Sequence, residues 1–210
     1  GGASADRSVF PLALPRRVSP PVQPSRGPSL TARFQGVDPD IVIVMGVAGT
    51  GKTTVAKGIS TLMGWTFAEG DAFHPQANVD KMHAGTPLTD EDRWPWLRLI
   101  GDWISEQVDA GESAVVTCSA LRRVYRDVLR EGRPNVRFLH LHDDQELIAQ
   151  RMANRKDHFM PPSLLPSQFA TLGMLEPDEP GVLVTVHDDV PEVIHHAIDA
   201  LGLVPPRPTA

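Results

Sequence analysis

From residue 40 onward, short apolar runs alternate with longer stretches of helical period. Strands are predicted at 41–45, 65–68, 114–117, 136–141 and 182–186, and helices at 52–63, 92–109, 121–130, 144–153, 164–172 and 191–201. This alternation argues for an α/β fold with a five-stranded parallel sheet and helices on both faces. Pro191 suits the first turn of the last helix. Between 121 and 130, Leu121, Val124, Tyr125, Val128 and Leu129 form one face, and Arg122, Arg123 and Arg126 fall off it. No internal repeat interrupts the pattern.

Open α/β sheets bind ligands beyond the carboxyl ends of their strands, so the residues that leave each strand carry the chemistry. After the first strand, Gly46-Val47-Ala48-Gly49-Thr50-Gly51-Lys52-Thr53 is a complete G-x-x-x-x-G-K-T phosphate loop that opens a helix. Its backbone N–H groups, extending to Thr54 in the first helical turn, are expected to cradle nucleotide phosphates. Lys52 would bridge the β- and γ-phosphates, and the Thr53 hydroxyl would hold Mg²⁺. The other strand ends carry Glu69-Gly70-Asp71, Cys118-Ser119-Ala120, His142-Asp143-Asp144 and His187-Asp188-Asp189.

Composition narrows the setting. The 210 residues are 41% hydrophobic with a net charge of −6, which suits one globular domain plus an extension and gives no nucleic-acid or membrane surface. The single cysteine, Cys118, excludes an internal disulfide and fits a reducing, cytoplasmic compartment. No apolar run approaches the roughly 20 residues that span a bilayer. Residues 1–38 are rich in proline and arginine and nearly free of acid, so they are expected to be a disordered extension, with a transit segment as the alternative. The folded domain is expected over 39–204, with a disordered tail at 205–210.

Three classes of phosphate-loop protein compete. Motor ATPases and GTPases usually end a central strand with an Asp that orders Mg²⁺. Here Ser113-Ala114-Val115-Val116-Thr117 runs into Cys118-Ser119 without an acid, and no Asn-Lys-x-Asp signature occurs. A small-molecule kinase remains. It needs a carboxylate to take the acceptor's proton, cations for the transferred phosphoryl group, and a cover that excludes water. Asp71 is the candidate base, against the bland alternative of a turn cap. Glu69 projects to the same side and is a candidate for ordering Mg²⁺. The cover is expected at about 154–170, where Arg151 and Arg155 are one turn apart and can reach one anion. The long polar segment 71–97, which includes His74 and Lys81, suits a polyhydroxylated, anionic acceptor. Trp94 and Trp96 read as packing residues rather than ligand-stacking ones.

Four blocks then resemble the P-loop gluconokinases: Gly-Asp-Ala-Phe-His-Pro-Gln-Ala-Asn-Val-Asp-Lys-Met at 70–82, Gly-Thr-Pro-Leu-Thr-Asp-Glu-Asp-Arg-Trp-Pro-Trp-Leu at 85–97, Cys-Ser-Ala-Leu-Arg-Arg-Val-Tyr-Arg-Asp-Val-Leu-Arg at 118–130, and the run from His158 to Leu172. The resemblance covers about residues 40–202. It implies a fold like adenylate and shikimate kinases, with a lid and a substrate-binding helical region. It also implies ATP- and Mg²⁺-dependent phosphorylation of D-gluconate at its 6-hydroxyl, in a homodimer. Carried over by position, it makes Asp71 the base, Arg93 a substrate or phosphoryl contact, and Ser119 and Ala120 backbone contacts of the acceptor. It brings Arg122 and Arg126 to gluconate and assigns Arg155 and His158 to the lid. Ala48 and Thr50 replace the family's usual Ser, Glu69 stands where Asp is also common, and Gly173-Met174 stands where Glu usually comes first. Gly173 is therefore expected to stop the lid helix early. Another small-molecule kinase, for shikimate or a different sugar acid, and a non-catalytic nucleotide-binding regulator are the rival readings.

Overall fold

A computed structural model describes residues 38–154 and 161–208. Five strands, β1 (Ile41–Met45), β2 (Thr66–Ala68), β3 (Ala114–Thr117), β4 (Val136–His142) and β5 (Gly181–Thr185), form one sheet in the order β2-β3-β1-β4-β5. Every pairing is parallel. The helices are α1 (Lys52–Met63), α2 (Gln76–His83), α3 (Asp90–Asp109), α4 (Arg123–Arg130), α5 (Gln145–Ala153), α6 (Leu165–Thr171) and α7 (Val190–Ala200). Single 3-10 turns span Gly70–Phe73 and Pro162–Leu164.

All five residues of β1 have zero exposure. Side chains alternate between the faces of a strand, so both faces of the sheet are covered at its centre. α1 packs on α7, and α3 packs on α4. The strand order turns outward in both directions from β1, which places the crevice of such a sheet at the β1 terminus, where the phosphate loop begins.

The strand boundaries agree with the sequence pattern to within one residue. α3 begins two residues earlier than expected, because Thr89 and Asp92 close a capping box: Thr89 Oγ1 accepts from Asp92 N at 3.2 Å and Asp92 Oδ2 accepts from Thr89 N at 2.9 Å. Pro191 falls in the first turn of α7, behind the Asp189 cap. α6 does stop at Thr171, but Gly173 does not adopt the left-handed conformation of a glycine cap. Leu172 turns extended instead, and Gly173 N donates to Leu121 O at 2.6 Å.

One expectation is corrected. Arg126 does not lie off the packed face of α4: its side chain has zero exposure, whereas Val124 of the supposed apolar face is 42% exposed. Burial is possible because every guanidinium nitrogen finds an acceptor. Nε and Nη2 donate to Glu179 at 2.6 and 2.8 Å, and Nη1 donates to Ala120 O and Gly173 O at 3.1 and 3.0 Å.

Candidate active site

The phosphate loop needs its glycines for conformation. Gly46, Gly49 and Gly51 have φ of 143°, 84° and 87°, a region that side chains disfavour. At Gly49 a Cβ would also lie 2.5 Å from Met152 of α5. The loop is tied to the end of β3 through Gly46 N donating to Ser119 O at 3.2 Å. Lys52 curls over it, with Nζ donating to Gly46 O and Val47 O at 3.1 and 3.0 Å. Thr50 is buried and bonds within the loop to Val47 O. Thr54, in the first turn of α1, also lines the cleft.

Beside the loop, two acids converge from the end of β2. Glu69 accepts from Thr53 Oγ1 at 2.5 Å with one oxygen and from Thr117 Oγ1 with the other. The terminal residue of β3 is thus a hydroxyl that holds an acid from the neighbouring strand. Gly70 makes this approach possible, since a Cβ there would fall 1.8 Å from Thr117 O. Its N–H donates to Thr117 Oγ1 at 3.0 Å and its carbonyl accepts from Trp96 Nε1 at 2.8 Å. The backbone that links Glu69 to Asp71 is therefore fixed at Gly70 by all three contacts.

Asp71 is the second residue of the 3-10 turn, and its side chain is 46% exposed and lines the cleft. Crowding by protein raises its pKa; the Lys52 cation opposes this and the Glu69 carboxylate adds to it. Burial lowers the Lys52 pKa, against Asp71 and Glu69, which raise it. His74 stacks on Trp96 with ring centres 4.0 Å apart, and its side chain is 2% exposed. Burial and the nearby Arg93 hold it down at about 4, so it is neutral at physiological pH. Cys118 is buried and pushed up to about 12 by burial, so it offers no thiolate.

A single cleft of about 500 Å³ joins these parts. Phosphate-loop residues and Thr53 form one end, and Glu69, Asp71, His74 and Arg93 form its polar wall. Ser119 and Leu121 come from the turn after β3, where Ala120 is buried with φ of 45°. Leu164, Ser167, Gln168 and Thr171 close the far side from α6 and the turn before it. Gln168 Oε1 accepts from Ala48 N at 2.6 Å, so this wall touches the phosphate loop.

Other expected residues stand elsewhere. Lys81 is paired with Asp92 at 2.8 and 2.9 Å and does not line the cleft. Arg122 pairs with Asp90 at 3.0 Å, and Arg151 donates to Val186 O. Arg126 is the buried partner of Glu179. Arg155 and His158 lie outside the described residues. Trp96 is 2% exposed and borders the cleft where it stacks on His74, and Trp94 packs edge-on to Tyr125. Sequence reasoning missed Asp90, Tyr125 and Gln168. None of the three gave a signal in the sequence: Gln168 sits between Ser167 and Phe169 in a short helix of mixed polarity.

A family model described as an AAA domain matches residues 41–169. The gluconokinase of Gluconobacter oxydans is 53% identical over 165 residues, covering 77% of this chain and 93% of that protein. The chain belongs to the gluconokinase family. The thermosensitive gluconokinase of Escherichia coli is 41% identical, covering 76% of this chain and 86% of that one. A gluconokinase structure from Sinorhizobium meliloti superposes with a TM-score of 0.71 at 44% identity, covering 79% and 93% of the two chains. A sugar kinase from Janibacter superposes at 0.76 with 52% identity, covering 80% and 96%. The shikimate kinase of Aquifex aeolicus, at 13% identity and a TM-score of 0.55, shares the fold.

Proposed function

We propose that the protein transfers the γ-phosphoryl group of ATP to the 6-hydroxyl of D-gluconate, giving 6-phospho-D-gluconate. The observation that carries this reading is the juxtaposition of Asp71 and Lys52 in a cleft that continues past Arg93, in a chain 53% identical to a gluconokinase. Asp71 is the base that accepts the acceptor proton. Crowding makes its carboxylate more basic than an ordinary Asp, which suits that task. Arg93 and neutral His74 orient the polyhydroxy acid from the same wall. Lys52 and the phosphate-loop amides hold the phosphates, and Ser119 and Ala120 offer backbone groups to the acceptor.

ATP supplies the phosphoryl group, and Mg²⁺ neutralises charge on its phosphates. The Thr53 hydroxyl and the Glu69 carboxylate, 2.5 Å apart, are hard oxygen donors that fit Mg²⁺. Among the described residues no group of three His, Cys, Asp or Glu side chains could hold a metal ion. A magnesium carried on phosphates needs only one or two protein ligands, so this donor pair suffices.

We assign catalysis to 39–204, with 154–170 as the lid, in a cytoplasmic homodimer. An ATP-coupled assay across sugar acids tests the reaction. Turnover with gluconate is expected; turnover only with another acid, such as shikimate, or ATP binding without any turnover, refutes it. Sedimentation tests the dimer.

A further inference from the structure

Arg93, an arginine that lines the cleft, is held in place by residues that do not line it. Its Nη1 donates to Tyr125 Oη at 3.1 Å, and its guanidinium lies 5.2 Å from the centre of the Tyr125 ring. Tyr125 Oη donates to Asp90 Oδ1 at 2.5 Å. The other Asp90 oxygen accepts from Arg122 at 3.0 Å, and Arg122 covers the same ring at 5.6 Å. Trp94 meets the ring edge-on, with centroids 5.6 Å apart. Asp90 and Arg93 stand one turn apart on α3, and Tyr125 stands on α4. Tyr125 is 1% exposed.

We propose that Tyr125, oriented by Asp90 and Arg122, is the positioning residue that aims Arg93 at the acceptor. A phenol has one proton. Tyr125 gives it to Asp90, which leaves only lone pairs to face Arg93. The phenol therefore restrains the guanidinium without cancelling its charge. The nearest Asp90 oxygen is 3.9 Å from Arg93 Nη1, and that carboxylate is already engaged by Arg122 and by the tyrosine. Arg93 keeps four further N–H groups for an anionic or hydroxylated ligand. The arrangement also gives Arg122 a place behind Arg93 rather than against the substrate.

This inference rests on gluconate being the acceptor, and a double-mutant cycle tests it. Tyr125→Phe keeps the ring and its packing while removing the hydroxyl. It should raise KM for gluconate by roughly tenfold, the worth of one charge-assisted hydrogen bond. KM for ATP should stay within about twofold. In an Arg93→Ala background the same change should add nothing, because the residue acts only through Arg93; Arg93→Lys replaces it if Arg93→Ala is too slow to measure. An unchanged KM for gluconate in Tyr125→Phe overturns the proposal. So does an equal loss in both backgrounds, which would mark a general packing role. If the unsubstituted enzyme phosphorylates a different acid and not gluconate, the functional reading fails, and the same cycle read on that acid judges the positioning role separately.

Discussion

Arg126 offers a sharp separation between building the site and touching the substrate. The family resemblance brings it to gluconate, whereas the fold buries it completely against Glu179. Burial pushes the Glu179 pKa up, but hydrogen bonds from Arg126 and the Glu176 N–H outweigh it and hold the carboxyl below its usual value. In Arg126→Ala this carboxylate loses its bidentate partner, and the carbonyls of Ala120, Gly173 and Met174 lose a donor. Breaking a buried pair from one side costs about 3–5 kcal/mol. For a domain of this size that is a fall in Tm of roughly 10 °C.

The assay pairs thermal melting by circular dichroism with kinetics at a temperature where the variant is fully folded. There, KM for gluconate should stay within about threefold of the parent, since no Arg126 atom lines the cleft. Arg126→Met combined with Glu179→Leu should recover most of the lost stability, because apolar replacement of a whole buried pair is often neutral. A variant Arg126→Ala that melts within about 2 °C of the parent yet shows a KM raised tenfold or more would refute this reasoning. It would return the arginine to the substrate.

Asp71→Asn should lower kcat by about 10²–10⁴-fold while the Kd for ATP, measured by calorimetry, changes little. Glu69→Gln should raise the Mg²⁺ concentration needed for half-maximal activity, read from a titration at fixed ATP. Gly70→Ala should cost several kcal/mol in denaturant unfolding, since its Cβ would meet Thr117 O at 1.8 Å and neither backbone can retreat without moving Glu69 or Asp71. Acid should destabilise the fold through His140, whose zero-exposure ring has both nitrogens unpaired and is held at about 4 by burial, then by His142, Arg126 and Lys52. Its folded pKa lies below the unfolded value of 6.5, so the unfolded chain binds the proton first. Stability is full above about 6.5 and falls as pH drops toward 4, by about 2–3 kcal/mol, and His140→Leu should flatten that fall in urea titrations.

The central strands β1, β3 and β4 and the phosphate loop were legible because they obey strong local rules: apolar runs buried on both faces, and glycines at left-handed positions. α2 was not, since it is only eight residues long and buries just Asn78 and Met82, too few to show a period. The start of α3 was hidden because its capping box uses Asp92 in place of the usual Glu or Gln. Asp71, Glu69 and Thr53 were legible as a set, because strand ends converge in an open α/β sheet whatever the loops do.

The arginines divide the other way, and for a physical reason. Arg93, Arg122 and Arg126 occupy neighbouring elements, yet one reaches the cleft, one braces the ring behind it and one is sealed in the core. A guanidinium on a long stem reaches far from its Cα in many directions, so helical position does not say what it contacts. What decides is where carboxylates and free carbonyls lie. Glu179 and the Gly173–Met174 carbonyls come from a segment 47 to 53 residues later and draw Arg126 inward. Those carbonyls are open to Arg126 because α6 ends at Thr171 and the chain then runs extended across Leu121. The Gly173-Met174 departure from the family pattern thus lies against Arg126, and the α6 terminus and the core arginine form one structural unit. A substitution at either should be felt as stability before it is felt as substrate affinity.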